Sequence, residues 1–342
     1  MVELARRLVD GDGLDLENIL GIAYKRGNEI AENPQLFIEN LDSIPLPSRH
    51  LVPLHKYDRR MSFLDVAPVD TMNVVRGCPF NCSFCETKKI WGSNPRFFSP
   101  RRVLEEIEYL ITNYGSKGIY FVGDNFTING KWTRTLCSLI RKHKLDIEWV
   151  CDTRVDLVSR DLLKAMRSAG CRTIWFGVES GSPRILKKLN KGITLSQAIR
   201  AFKLCRETGI KVACSFMLGI PGETLEDMYA TLRFAKKLNP DWCQFNVFVA
   251  YPGSALHKEV AEKGLYDRKD DFLLYVKTED FDYELVLRVQ KYFHQKFHRN
   301  PVRIIRKVLE NVRFSFDWRD LVDRFLRRLG CFWSAVGTME VK

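Results

Sequence analysis

An α/β fold built around a parallel sheet is what this sequence predicts, and three observations carry it. Six short β-branched or aromatic runs recur between residues 72 and 263, each is followed by an amphipathic segment, and start and stop signals bound those segments. The runs are MNVV (72–75), GIYFVG (118–123), IEWVCD (147–152), TIWFGV (173–178), KVACSFML (211–218) and CQFNVFV (243–249). Ser99 and Pro100 open the helical RRVLEEIEYLI, Thr194 and Gln197 form a capping box, and Gly170 and Gly209 stand at helix ends. Six parallel units fit a doubly wound sheet or an incomplete barrel. In both, ligands gather at the C-terminal ends of the strands.

The flanks read differently. Residues 1–62 hold a helix end, a small hairpin and the proline-containing connector LDSIPLPSRHLVP. Residues 63–265 contain the βα units. Residues 266–342 read as a helical, basic C-terminal region, with Leu285, Val289, Tyr292, Phe293 and Phe297 at helical spacing before a break at Pro301 and a second segment, VRIIRKVLENV. The net charge is +12, and half of it falls in residues 281–342, which hold 13 Lys and Arg against 7 Asp and Glu. A basic tail suits a solvated helix face, an anionic lipid surface or an acidic partner. With 342 residues the chain has core enough to fold without disulfides. Seven of its ten cysteines (137, 151, 171, 205, 214, 243 and 331) are scattered singly in apolar contexts, the usage of a reducing cytoplasm. Neither a signal peptide nor an apolar run near 20 residues is present, so a soluble cytoplasmic protein is expected.

The other three cysteines stand together. In VRGCPFNCSFCE, Cys78, Cys82 and Cys85 follow C-x3-C-x2-C spacing directly after the first strand, where this architecture places its sites. Structural zinc takes four protein ligands, and the nearest additional candidates, His50 and His55, lie in the connector. A 4Fe-4S cluster held by three thiolates leaves one iron open. With Phe84 as its aromatic, the motif resembles the C-x3-C-x-aromatic-C signature of the radical S-adenosylmethionine (SAM) superfamily. That resemblance implies a partial (β/α)6 TIM-like barrel whose open iron binds the amino and carboxylate groups of SAM.

Further positions follow from the same resemblance. Gly123, Asp124 and Asn125 in FVGDNFT match the place where the family holds the methionyl amine, although an ordinary Asp-Asn turn reads the same way. Glu179 and Ser180 after the fourth run resemble polar contacts to the ribose or methionine moiety, and a carboxylate in an apolar run needs a partner. Arg154 either pairs with the SAM carboxylate or forms a structural salt bridge with Asp152 or Asp156. Gly219, Ile220, Pro221 and Gly222 resemble the G-x-I-x-G-x-x-E region near adenine, with the acidic Glu223 one position early. Backbone from Val249 to Tyr251 is placed to pair with the adenine edge.

The wider resemblance, over roughly residues 1–265, is to the cobalamin-dependent branch that includes anaerobic magnesium-protoporphyrin ester cyclase and hopanoid-modifying enzymes. Residues 1–62 resemble only the tail of a cobalamin-binding domain, and the D-x-H-x-x-G motif is absent, so cobalamin is expected only through a partner chain. The implied reaction is reductive cleavage of SAM to a 5'-deoxyadenosyl radical that methylates, cyclises or oxidises a small molecule, with flavodoxin or ferredoxin as electron donor. The basic C-terminal region also suggests a hydrophobic substrate and peripheral membrane contact. Alternatives are an RNA-modifying methylthiotransferase, for which a second cysteine trio and an RNA-binding module are missing, and an Fe-S protein without turnover.

Overall fold

The computed structural model describes residues 2–10, 15–270 and 272–299, and each of the six runs forms a strand. These are β1 (Val69–Asn73), β2 (Gly118–Val122), β3 (Glu148–Thr153), β4 (Cys171–Glu179), β5 (Lys211–Leu218) and β6 (Trp242–Val247). They lie side by side in chain order, and every neighbouring pair is parallel. A doubly wound sheet reverses its order at a switch point, and this one does not. β1 and β6 are the two edges and do not pair with each other, so the architecture is an open, partial barrel.

The connecting helices are α1 (Pro100–Tyr114), α2 (Gly130–Lys142), α3 (Arg160–Ser168), α4 (Leu195–Glu207) and α5 (Leu225–Leu238), followed by α6 (Ala255–Glu262) and α7 (Tyr283–His298). Their ends are set locally. Ser99 Oγ accepts the Arg102 N–H with Pro100 in the first turn, and Thr194 and Gln197 cap each other reciprocally. Gly170 and Gly209 follow α3 and α4 at φ +98° and +72°, values that favour glycine.

Strand alternation divides the sheet into two faces. Trp149, Cys151, Ile174, Phe176, Cys214, Phe216 and Phe245 point outward into one core with the helices, and most of the singly placed cysteines are buried there. The opposite residues line the inner face. At its N-terminal end Leu64, Val69 and Val150 cluster with Met61, Val66 and Tyr120. Phe63 sets its ring edge-on to Trp175 and Trp242, with centroids 4.9 and 5.4 Å away, and its carbonyl accepts a hydrogen bond from Thr173 Oγ1 at 2.8 Å. The inner face is thereby floored at one end and accessible at the other.

Residues 266–342 do not begin as helix. Tyr266–Asp270 and Leu273–Val276 are antiparallel strands, joined on the far side of the second by Val249–Ala250. Exposed along its whole length and mostly charged, YDRKD lacks the apolar alternation that marks a strand. The expected α7 is present. Its Gln290 Nε2 donates to the Phe245 carbonyl of β6 at 2.7 Å, and His294 and His298 reach the Phe245 and Cys243 carbonyls at 3.1 and 3.0 Å. The Pro301 break and the segment after it lie outside the described residues, as does Cys331. No described helix is long and apolar enough to cross a membrane.

Candidate functional site

The cysteine loop leaves β1 and is pinned at several points. A two-residue ladder between Val75–Arg76 and Arg96–Phe97 frames its start. Gly77 follows at φ +100°, where any Cβ would overlap the Asn94 carbonyl oxygen, and its N–H donates to Asp124 Oδ2 at 2.8 Å. Further along, Ser83 N–H donates to the Leu189 carbonyl, Leu256 N–H donates to the Ser83 carbonyl, and Asn190 Nδ2 donates to the Asn81 carbonyl. Loops after β1, β4 and β6 are thus tied together above the inner face.

Each thiol has a hydrogen-bond donor of its own. Asn125 Nδ2 lies 3.5 Å from Cys78 Sγ, Arg154 Nη1 lies 3.8 Å from Cys82 Sγ, and the Thr87 N–H lies 3.5 Å from Cys85 Sγ. Cys78 is buried, Cys82 half-buried and Cys85 exposed. Burial pushes the Cys78 and Cys82 thiols above their ordinary range, while Lys191 and Arg154 pull Cys82 back down. Three thiols with three N–H donors suit an iron-sulfur cluster, whose sulfurs are tuned by such bonds. Among the described residues no three His, Cys, Asp or Glu side chains close around a single metal ion.

The remaining residues singled out from sequence fall around this loop. Asp124, its carboxyl pushed up by burial, holds Gly77, so it braces the cysteine loop directly. Gly123, at φ +153°, lets β2 turn toward it, and Asn125 is buried against Cys78. Glu179 ends β4 in the left-handed region at φ +69° and forms an ion pair with Lys191; both side chains are almost wholly buried. Gly177 lies beneath them, and a Cβ there would overlap the Glu179 carboxylate. Lys191 Nζ also sits 5.7 Å from the ring centroid of Phe84.

Of the ion pairs expected for Arg154, the one with Asp156 is present. Its Nε and Nη2 donate to the two Asp156 oxygens at 3.0 Å each, and Nη2 also donates to the Lys191 carbonyl at 2.6 Å. The guanidinium stacks over Phe80, 3.7 Å from the ring centroid. Asp152 belongs elsewhere, with Tyr120. Ser180 is fully buried and its hydroxyl faces Thr231 of α5 at 3.2 Å.

After β5, Gly219 turns at φ +82° and Gly222 at φ +76°, and the Ile220 side chain enters the main core. Glu223 Oε2 accepts the Gly219 and Ile220 N–H groups at 2.7 and 3.1 Å, whereas buried Oε1 meets no partner. Burial lifts this carboxyl to about 8. Val249 and Ala250 pair with Tyr275 and Leu274, and Tyr251 is exposed. Sequence reading missed Lys191, Phe80 and Thr87. NKGIT held the only signal for Lys191, a cation twelve residues beyond an apolar-strand glutamate.

The Radical SAM superfamily model matches residues 72–235. An uncharacterized methyltransferase of Pyrococcus horikoshii is 36% identical over 320 residues, covering 90% of this chain and 68% of that protein. Anaerobic magnesium-protoporphyrin IX monomethyl ester cyclase of Rubrivivax gelatinosus is 31% identical over 258 residues, 73% of this chain and 45% of that protein. Among solved structures, the cobalamin-dependent SAM radical enzyme OxsB with aqua-cobalamin and SAM bound matches 98% of this chain and 54% of its own, with TM-score 0.73 at 16% identity, a likeness of fold. The chain therefore spans 68% of the archaeal methyltransferase but less than half of the cyclase.

Proposed function

The chain belongs to the radical SAM superfamily, and from that premise we propose that it cleaves SAM reductively and uses the resulting radical to methylate, cyclise or oxidise a small molecule bound on the inner face of the sheet. The observation that carries this reading is the trio Cys78, Cys82 and Cys85, each with its own N–H donor, at the C-terminal end of β1.

In this proposal the three cysteines hold a 4Fe-4S cluster, which when bound supplies one electron and an open iron for the amino and carboxylate groups of SAM. Asn125, Arg154 and the Thr87 N–H withdraw charge from the sulfurs, which eases the gain of an electron. Glu179 and Lys191 form a rigid polar lip between the loop and the sheet, suited to orienting SAM. Phe63 and the cluster around Leu64 keep water from the lower end of the inner face, where it would quench a radical. Gly219, Gly222 and the backbone at Val249–Tyr251 are assigned to the adenine side. Lys88 and Lys89, on the short helix after Cys85, suit docking of an acidic electron carrier such as flavodoxin or ferredoxin. Cobalamin enters the proposal only as a group carried by a partner chain or domain.

Anaerobic reconstitution with iron and sulfide, followed by dithionite and SAM, is expected to yield 5'-deoxyadenosine. Replacing any one of the three cysteines with alanine should abolish both the cluster's visible absorbance and the product. Absence of 5'-deoxyadenosine from a fully reconstituted wild type would overturn the proposal in favour of an Fe-S protein without turnover.

A further inference from the structure

One carboxylate on the inner face takes no part in the cysteine loop or in the contacts assigned to SAM. Asp152 lies near the C-terminal end of β3 with the inward parity of Val150, beside Trp175 of β4 in the strand register. Its two oxygens accept a bifurcated hydrogen bond from Tyr120 Oη of β2, at 2.9 and 2.7 Å. A phenol is a neutral partner. The cations nearby are engaged elsewhere: Arg154 pairs with Asp156, Lys191 with Glu179 and, at the opposite end of the sheet, Lys211 with Asp65. Among the described residues no cation pairs with Asp152, although its side chain is half-buried.

Burial raises the Asp152 carboxyl to about 7, and the bond from Tyr120 only partly offsets this. A carboxylate held on an accessible face at that cost gains most from a ligand that brings a positive charge and N–H donors together. An aromatic side chain stands on the strand to either side: Tyr120 of β2 reaches the carboxylate through its hydroxyl, and Trp175 of β4 is the register neighbour of Asp152.

We propose that Asp152, Tyr120 and Trp175 form a binding subsite for the ammonium group of an amine ligand other than SAM, which makes Asp152 a specificity-determining residue for a cationic reactant. Placing that reactant at the reaction centre rests on the function proposed above; the subsite itself does not. Asp152 accepts the ammonium N–H, Tyr120 holds the carboxylate in one orientation, and Trp175 covers the adjoining carbon chain. Anionic analogues are rejected because a second negative charge would face Asp152.

Two probes with the same ring and opposite charge test this on cluster-reconstituted protein, with and without saturating SAM: phenethylamine and phenylacetate, followed by calorimetry and tryptophan fluorescence. Phenethylamine is expected to bind about tenfold or more tightly than phenylacetate, the value of a charge-assisted contact. Asp152→Asn should erase that preference, and Tyr120→Phe, which keeps the ring, should reduce it. No saturable binding of phenethylamine, equal affinity for both probes, or an unchanged ratio in both variants would overturn the subsite. So would loss of SAM affinity in Asp152→Asn with the amine unaffected, since the ammonium would then be that of SAM. A failed titration alongside normal 5'-deoxyadenosine production sinks the subsite alone.

Discussion

At the scale of single residues, the buried carboxyls divide by what compensates them. Glu179 has a cation, Asp124 has a backbone N–H, and Glu223 has two N–H groups on one oxygen and nothing on the other. With its carboxyl raised to about 8, Glu223 is protonated at neutral pH in the folded chain and ionised in the unfolded one. Its contribution to stability is therefore most favourable below the ordinary glutamate range and becomes steadily worse as pH rises toward 8. Glu223→Gln keeps the accepting oxygen and removes the titration. Melting temperatures at pH 6 and pH 9 should show the variant matching wild type or exceeding it, with the larger gain at pH 9. A variant less stable at both values would contradict the protonated reading. The sequence displayed Glu223, but its role depends on the backbone folding back to it, which spacing alone could not reveal.

At the scale of elements, α7 is held to β6 by polar side chains one helical turn apart, Gln290, His294 and His298, each directed at the strand's carbonyls. Phe293 and Phe297 add edge-on contacts to Phe245. Burial lowers the His294 pKa, so the fold favours its neutral ring. That contribution is complete above the unfolded histidine value and falls away as pH drops below it, through the lower folded value. His294→Gln should remove this part of the acid dependence at a cost of about 1 kcal/mol at neutral pH, read by urea unfolding at pH 5 and pH 7.5. An unchanged pH dependence would exclude His294 as its source. The six strands and their crossover helices were legible because each carries an unbroken apolar pattern and its own caps. The strands at Tyr266–Asp270 and Leu273–Val276 were not, because the first is charged at every position after Tyr266 and the second is four residues long. Within the site, the thiols and Glu179 were visible as residue types out of place. Tyr120 and Asp152, from different strands, become a pair only through sheet register.

At the scale of the whole molecule, an open sheet needs something in place of the missing barrel wall at its lower end, and Phe63 with its neighbours from the connector supplies it. Phe63→Ala removes the edge-on contacts with Trp175 and Trp242 and should cost about 2 kcal/mol, less than for a fully buried ring. It should also increase acrylamide quenching of tryptophan fluorescence, because the floor then admits solvent. Unchanged quenching would mean that Phe63 packs there without sealing anything. The two rims of the sheet are protected separately. Arg49 Nη2 donates to the Thr71 carbonyl on β1, and the side chains of α7 serve β6. The second arrangement carries a consequence for synthesis. β6 emerges from the ribosome well ahead of α7, so for some seconds the nascent sheet carries an uncovered rim able to recruit a strand from a neighbouring chain. Expression conditions that slow translation between these two elements lengthen that exposure, and the yield of native protein then depends on elongation rate as well as on stability.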